Sequence, residues 1–126
     1  MKVISEDELD GLYGTKARLA SGGDYGCMCV VLEGDVTGEG AKFCDDAHFR
    51  ALQEEADVGT VVVTGNLTLT GDVTLSDRLF CLVVLGDVTA NVFTTSKTEV
   101  LVGGALKART VVDADELITV ENGSAA

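Results

Sequence analysis

The sequence predicts an all-β fold, a single-stranded β-helix (a β-solenoid) of about four to five coils. Three observations predict it. Val and Thr dominate the middle of the chain, 15 glycines separate these runs without any proline, and one apolar pattern recurs around a glycine. β-Branched residues suit a pleated sheet, and glycine without proline suits tight turns between short strands. The 126 residues fit a single domain, 1–126.

The recurring pattern is an apolar triplet, one variable residue, a glycine and an apolar residue two places further on. It covers 30–36, 61–67, 82–88 and 100–106, with an imperfect fifth copy at 117–122. The four glycines lie 31, 21 and 18 residues apart. A coil of about 18 residues can hold three short strands that each end in a turn, as a β-helix requires. The sequence therefore predicts a repeat protein.

Alternation between Thr60 and Leu75 predicts which side chains enter the core. Successive side chains of a strand point to opposite faces, so one parity is expected to face inward and the other to face water. The inward set is Val61, Val63, Leu67, Leu69, Val73 and Leu75, and the outward set is Thr64, Thr68, Thr70 and Thr74.

Aligned apolar positions are expected to stack where neighbouring coils share backbone hydrogen bonds. Val84 and Leu67 would then lie in the core. An antiparallel sandwich with glycine turns stays open as the alternative, because hairpins also produce alternation. The predicted stacks are Val61 over Leu82 over Val100, and Leu67 over Val88 over Leu106.

The segment 41–57 loses the strand pattern and predicts a helical insert. Alanine, phenylalanine and leucine alternate there with charged residues, and Asp45 or Asp46 could cap the start of the helix. Phe43 and Phe49 are two of the four phenylalanines, so we expect the insert to pack onto the core.

Residues 1–26 predict an N-terminal cap. Ser5 and Glu8 have the spacing of a capping box, in which the Ser side chain accepts a hydrogen bond from the first helical turn. Leu9 begins a short apolar stripe. A cap would cover strand edges that are otherwise free to pair with another chain.

The net charge of −12 narrows the classes of partner. Nucleic acid and anionic membranes would repel the chain, so the sequence predicts no binding to either. A basic protein partner is compatible with this charge. The first ten residues lack the basic and apolar regions of a signal peptide, and no apolar run is long enough to span a bilayer. The expected location is the cytoplasm.

The four cysteines, Cys27, Cys29, Cys44 and Cys81, are expected to be reduced thiols. Three of them, Cys27, Cys29 and Cys44, could join His48 in a Cys₃His zinc site. Structural zinc sites prefer Cys-x₂-Cys spacing, however, and free cysteine commonly serves as a small core residue. The sequence therefore predicts no metal and no cofactor.

A carbohydrate-active β-helix enzyme is a further hypothesis, based on Asp35, Asp72 and Asp87. Stacked carboxylates can perform acid–base chemistry on sugars. Each of these residues follows a glycine, however, and Gly-Asp is first of all a turn signal. The single histidine, His48, leaves little room for a nucleophile system. We predict a protein without enzymatic activity and assign no catalytic residue.

The Val-rich pattern with glycine turns in 61–120 resembles the bactofilins, bacterial cytoskeletal proteins that form polymers. The resemblance covers about half of the chain and implies a right-handed β-helix that assembles through its ends without nucleotide. The residues alone leave the handedness open.

Two functions remain open. The first is a structural or protein-interaction module that forms a homodimer through its C-terminal coil. Leu117, Ile118 and Val120 are the expected contact residues, because an exposed apolar strand edge is a template for pairing. The second is an acidic immunity-type antagonist that binds a basic toxin or another basic protein, for which no contact residues are assigned.

Overall fold

A computed structural model describes residues 2–19, 22, 25–40, 43, 47–75, 78–113 and 115–121. Within these residues, eleven strands form two sheets, and there are three helices. The elements in chain order are β1 (Lys2–Ile4), α1 (Glu6–Tyr13), α2 (Thr15–Arg18), β2 (Met28–Leu32), β3 (Val36–Glu39), α3 (Ala47–Ala56), β4 (Val58–Val63), β5 (Leu67–Thr70), β6 (Val73–Thr74), β7 (Cys81–Val84), β8 (Val88–Thr95), β9 (Glu99–Val102), β10 (Leu106–Asp113) and β11 (Ile118–Val120).

The predicted fold class is wrong. In its described residues the protein is a mixed α/β fold with two sheets, and not an all-β, single-stranded β-helix or solenoid repeat protein. The glycine pattern reports how neighbouring parallel strands pair, and its apolar triplets are typical of any parallel strand that is buried on both faces. It says nothing about the antiparallel strand β1 or the helices α1 and α2, which come from the polar N-terminal segment outside the pattern.

The first sheet has the strand order β1-β2-β4-β7-β9-β11 and is parallel except for β1, which pairs with β2 in the antiparallel direction. Val61 pairs with Leu82, and Leu82 pairs with Val100, so this predicted stack is confirmed. Every residue of β4, β7 and β9 is buried. Burial on both faces explains the apolar triplets, since such strands do not alternate with polar residues.

The second sheet has the order β10-β8-β5-β3, with β6 also paired to β8, and all its pairs are parallel. Leu67 pairs with Val88, and Val88 with Leu106, which confirms the second predicted stack. Here one face is buried and the other faces solvent. Thr68 and Thr70 are exposed as predicted, whereas Leu67 is fully buried.

The main core lies between the two sheets and includes all six side chains of the predicted inward set, together with Val84. Helix α3 occupies the window predicted to hold an inserted helix and packs against this core. Phe49 is buried, and Phe43 and Leu52 are partly buried against the same cluster. No helix in the described ranges is long and apolar enough to cross a membrane.

A second apolar cluster covers the outer face of the first sheet. The middle residues of the triplets contribute to it, α1 and α2 lie over them, and β1 adds Ile4 from the edge of the same sheet. The predicted capping interaction is confirmed at the start of α1, where the Ser5 hydroxyl accepts a hydrogen bond from the backbone N–H of Glu8 at 3.1 Å. The cluster contains Ile4, Leu9, Leu19, Cys29, Val31, Val62, Cys81, Val83 and Leu101.

Candidate functional site

The predicted contact residues lie at one end of the molecule, where both sheets present an edge strand. β11 is the last strand of the first sheet, and β10 is the last strand of the second. Leu117, Ile118 and Val120 are each partly buried, and Ile118 and Val120 pack against the main core. Val112 on β10 is 45% exposed. This C-terminal edge, defined as β10, β11 and Leu117, therefore presents apolar side chains that are only partly covered within the described residues.

Hydrogen bonds show which backbone groups of β11 face outward. Val100 donates its N–H to the carbonyl of Leu117 at 2.9 Å, and Glu121 donates to Val102 at 2.9 Å. Because successive residues of a strand direct their backbone groups to alternate sides, those of Ile118 and Val120 point away from β9. The Asp113 carboxylate accepts from the N–H groups of Leu117 at 2.8 Å and Ile118 at 2.9 Å. Asp113 thus occupies one outward donor, and the carbonyls remain directed to the edge.

The zinc hypothesis cannot be assembled from the described residues. Cys27 and Cys29 are buried free thiols at the start of β2. Cys44 and the side chain of His48 lie outside the described residues. Within the part of the chain that the structure describes, no group of three or more His, Cys, Asp or Glu residues could hold a metal ion.

A row of polar side chains instead crosses the outer face of the first sheet. Cys29 pairs in register with Thr60, Thr60 with Cys81, and Cys81 with Glu99. Cys29 and Cys81 are fully buried, and Glu99 is 4% exposed. The hydroxyl of Tyr25 donates a hydrogen bond to the Glu99 carboxylate. This pairing offsets the cost of removing a carboxylate from water.

Burial controls the acidity of these thiols. Removal from water raises the pKa of Cys29 to about 12, with a further contribution from the neighbouring Cys27. It also raises the pKa of Cys81, which lies beside Glu99. Cys27 has its pKa raised in the same way, although it lines a cleft of about 340 Å³ that the start of α1 and Asp57 also line. The thiolate is the reactive form, so these cysteines are held unreactive as long as they stay covered.

The three carboxylates of the enzyme hypothesis do not converge. Asp35 and Asp87 lie in one column of turns with Asn66 between them, whereas Asp72 accepts a hydrogen bond from Asn91 elsewhere. In the column, each side chain accepts from the backbone of the next turn. Asp35 accepts from Asn66 N–H at 2.9 Å, Asn66 from Asp87 N–H at 2.8 Å, and Asp87 from Ala105 N–H at 2.8 Å.

The free energy of unfolding depends on pH through Asp87, which belongs to this column of turns. The hydrogen bond from Ala105 N–H and the interaction with Lys107 lower the pKa of Asp87 from its ordinary value of 3.8. A carboxyl with a lowered folded-state pKa stabilises the fold fully above that ordinary value, and this contribution is lost as the pH falls through the lowered pKa.

We predict that Asp87→Asn folds normally and loses this part of the acid sensitivity. An amide oxygen can accept the Ala105 N–H, as Asn66 already does one turn earlier. Urea unfolding of both proteins from pH 7 to pH 2.5 measures the effect. The two curves should approach each other as the pH falls, and parallel curves over the whole range would contradict the assignment.

Several residues of these sites could not be identified from the sequence alone. Tyr25 and Glu99 meet across 74 positions of the chain, and Asn66 and Asp113 read as ordinary turn residues. Asn66 could have been identified, because it directly follows the glycine of the recurring pattern. Asp35 and Asp87 occupy the same position in their copies of the pattern.

No protein-family model, curated protein or solved structure matches this chain.

Proposed function

We propose that this protein is a non-enzymatic interaction module that forms a homodimer through its C-terminal edge. The observation that carries the proposal is the partly covered apolar end of both sheets, where Leu117, Ile118 and Val120 lie beside outward-facing backbone carbonyls. Strand edges of this kind pair readily with a second strand. The resemblance to bactofilins stays a prediction and does not support the proposal, because it implies a β-helix, which is not the fold of the described residues.

The two ends of the molecule differ, which favours a closed dimer over a filament. At the opposite end of the first sheet, β1 pairs with β2 in the antiparallel direction and forms the edge, whereas the C-terminal end is formed by the parallel strand β11. A single self-complementary surface forms a two-fold dimer, whereas growth of a filament needs two different surfaces. Repulsion between two chains that each carry −12 also opposes indiscriminate growth.

The proposed location is a reducing cytoplasm. Its support is the presence of three free thiols, Cys27, Cys29 and Cys81, in the described part of the chain. The proposal involves no metal and no cofactor.

Ile118→Lys is expected to abolish the dimer. A lysine at this position would place a charge in the apolar contact and on both copies of a two-fold interface. Light scattering coupled to gel filtration should give about twice 13.1 kDa for the wild type at high concentration and 13.1 kDa for the variant. Added salt should strengthen the wild-type dimer by screening the net charge.

The matched control is Thr68→Lys, which adds the same charge to an exposed position on the central strand β5. It should dimerise like the wild type. Thermal unfolding of both variants shows whether either has lost its fold. A wild type that stays monomeric at high concentration and high salt would exclude the proposal and favour the acidic antagonist.

A further inference from the structure

The N-terminal layer, defined as residues 2–19 with Tyr25, is held to the sheet by the three-residue pairing of β1 with β2 and by few apolar side chains. Ile4, Leu9 and Leu19 are its buried anchors. The main core contains none of these residues, so it would remain intact if the layer left the sheet. Regions with few buried contacts open at a lower free energy than the whole protein.

The connection from the layer to β2 contains two glycines with left-handed backbone angles. Gly22 has φ of 83° and Gly26 has φ of 69°. Glycine adopts these angles without steric cost and has wide conformational freedom, so a change of direction at either residue is inexpensive. Gly22 and Gly26 are therefore points at which the chain between the layer and β2 can change direction, once the Gly26 N–H leaves the Glu6 carboxylate that accepts it at 3.1 Å.

Two polar contacts fasten the layer at its far side. The Arg18 guanidinium binds the Glu121 carboxylate, with Nε at 3.1 and 3.0 Å from the two oxygens. Both side chains are about 30% exposed, so this ion pair contributes little stability. The second contact joins Tyr25 to the buried Glu99. Opening would return the Glu99 carboxylate to water, which offsets much of the loss of this hydrogen bond.

The layer covers two thiols completely. Cys29 and Cys81 are both 0% exposed and belong to the cluster between the layer and the sheet. The neighbouring row, formed by Val31, Val62 and Val83, is aliphatic. The covered face therefore contains nucleophilic side chains that closure protects and opening would release.

We propose that the N-terminal layer opens as a unit while the core stays folded, and that this opening gates disulfide exchange at Cys29 and Cys81. The modifying partner is a small-molecule disulfide. On opening, the thiol loses its proton to water, and the thiolate attacks one sulfur of the disulfide. The disulfide S–S bond breaks, a mixed disulfide forms on the protein, and the other half leaves as a thiolate with the bonding electron pair.

The test is labelling by 5,5′-dithiobis(2-nitrobenzoate), with peptide mass mapping to assign each cysteine. Cys29 and Cys81 should react together and slowly in the wild type, whereas Cys27, which lines the cleft, should react earlier. Because the opening exposes much less surface than global unfolding, low urea concentrations should change the labelling rate less steeply than core amide exchange.

Two pairs of variants test the fastenings. Arg18→Gln should raise the labelling rate of Cys29 and Cys81 roughly two- to fivefold, as expected for a partly exposed ion pair. Lys16→Gln is the matched control, because Lys16 pairs with Asp7 inside the layer. Tyr25→Phe should raise the rate about fivefold or more, since it removes a donor from a buried carboxylate. Tyr13→Phe changes another tyrosine of the layer and should have a smaller effect.

The proposal is overturned if Cys29 and Cys81 react with the rate and urea dependence of global unfolding. It is also overturned if Arg18→Gln and Lys16→Gln label alike, or if either thiol reacts at once in the wild type. The labelling rates and their urea dependence are independent of dimerisation when they are measured on wild-type and variant proteins at concentrations where light scattering gives the monomer mass. If the opening of the layer is disproved, the proposed dimerisation is therefore unaffected.

Discussion

Replacing Gly86 with alanine is expected to lower the free energy of unfolding by about 3 kcal/mol or more, because overpacking in a tight site is strongly destabilising. A Cβ atom at Gly86 would lie 2.6 Å from the backbone oxygen of Gly65 and would also meet the side-chain oxygen of Asn66. Neither atom can move freely, since Gly86 N–H donates to Gly65 at 3.0 Å and Asn66 accepts from Asp87 at 2.8 Å.

The control is the same substitution at Gly11. This glycine lies in helix α1 and has open space around it, so alanine should stabilise the protein by up to about 1 kcal/mol through its higher helix propensity. Urea unfolding of the two variants should therefore give changes of opposite sign. Equal stability of the Gly86→Ala protein and the wild type would show that the turns are not closely stacked.

The Gly86 contact also explains why the sequence predicted strand register well. Gly65, Gly86 and Gly104 each bond to the glycine of the preceding turn, with N–H to oxygen distances of 3.0, 3.0 and 2.9 Å. Such an approach excludes a side chain, so glycine must recur at the same place in each paired strand. The pattern is visible in the sequence because the physical requirement is local to each turn.

The fold class could not be derived from the same pattern. The triplet 61–63 is apolar throughout because both of its faces are buried, which a sequence can indicate. It cannot indicate what covers the second face. The covering layer comes from residues 2–19, and its ion pair joins Arg18 to Glu121 across 103 positions. Contacts between residues so far apart in the sequence form only in the folded protein, so local sequence patterns do not indicate them.

The candidate sites, too, could be predicted from the sequence only in part. The C-terminal edge was predictable, because 117–120 form a short apolar run that is read as a strand without further information. The capping of that edge by Asp113 was not, since a carboxylate four residues before Leu117 reads as a turn residue. The thiol row was also hidden, because Cys29 and Cys81 meet only through Thr60 on the strand between them.

Leu67→Ala is expected to cost about 2–5 kcal/mol of unfolding free energy, because it removes buried methyl groups and leaves a cavity. Leu67 is fully buried on β5, between Val36 and Val88 on the neighbouring strands. A domain with a total stability of about 5–15 kcal/mol would lose a large fraction of it. Leu12→Ala is the matched control, because Leu12 is 55% exposed and should change stability by no more than about 0.5 kcal/mol. Urea unfolding measures both variants, and a Leu67→Ala protein as stable as the control would mean that β5 does not line the core.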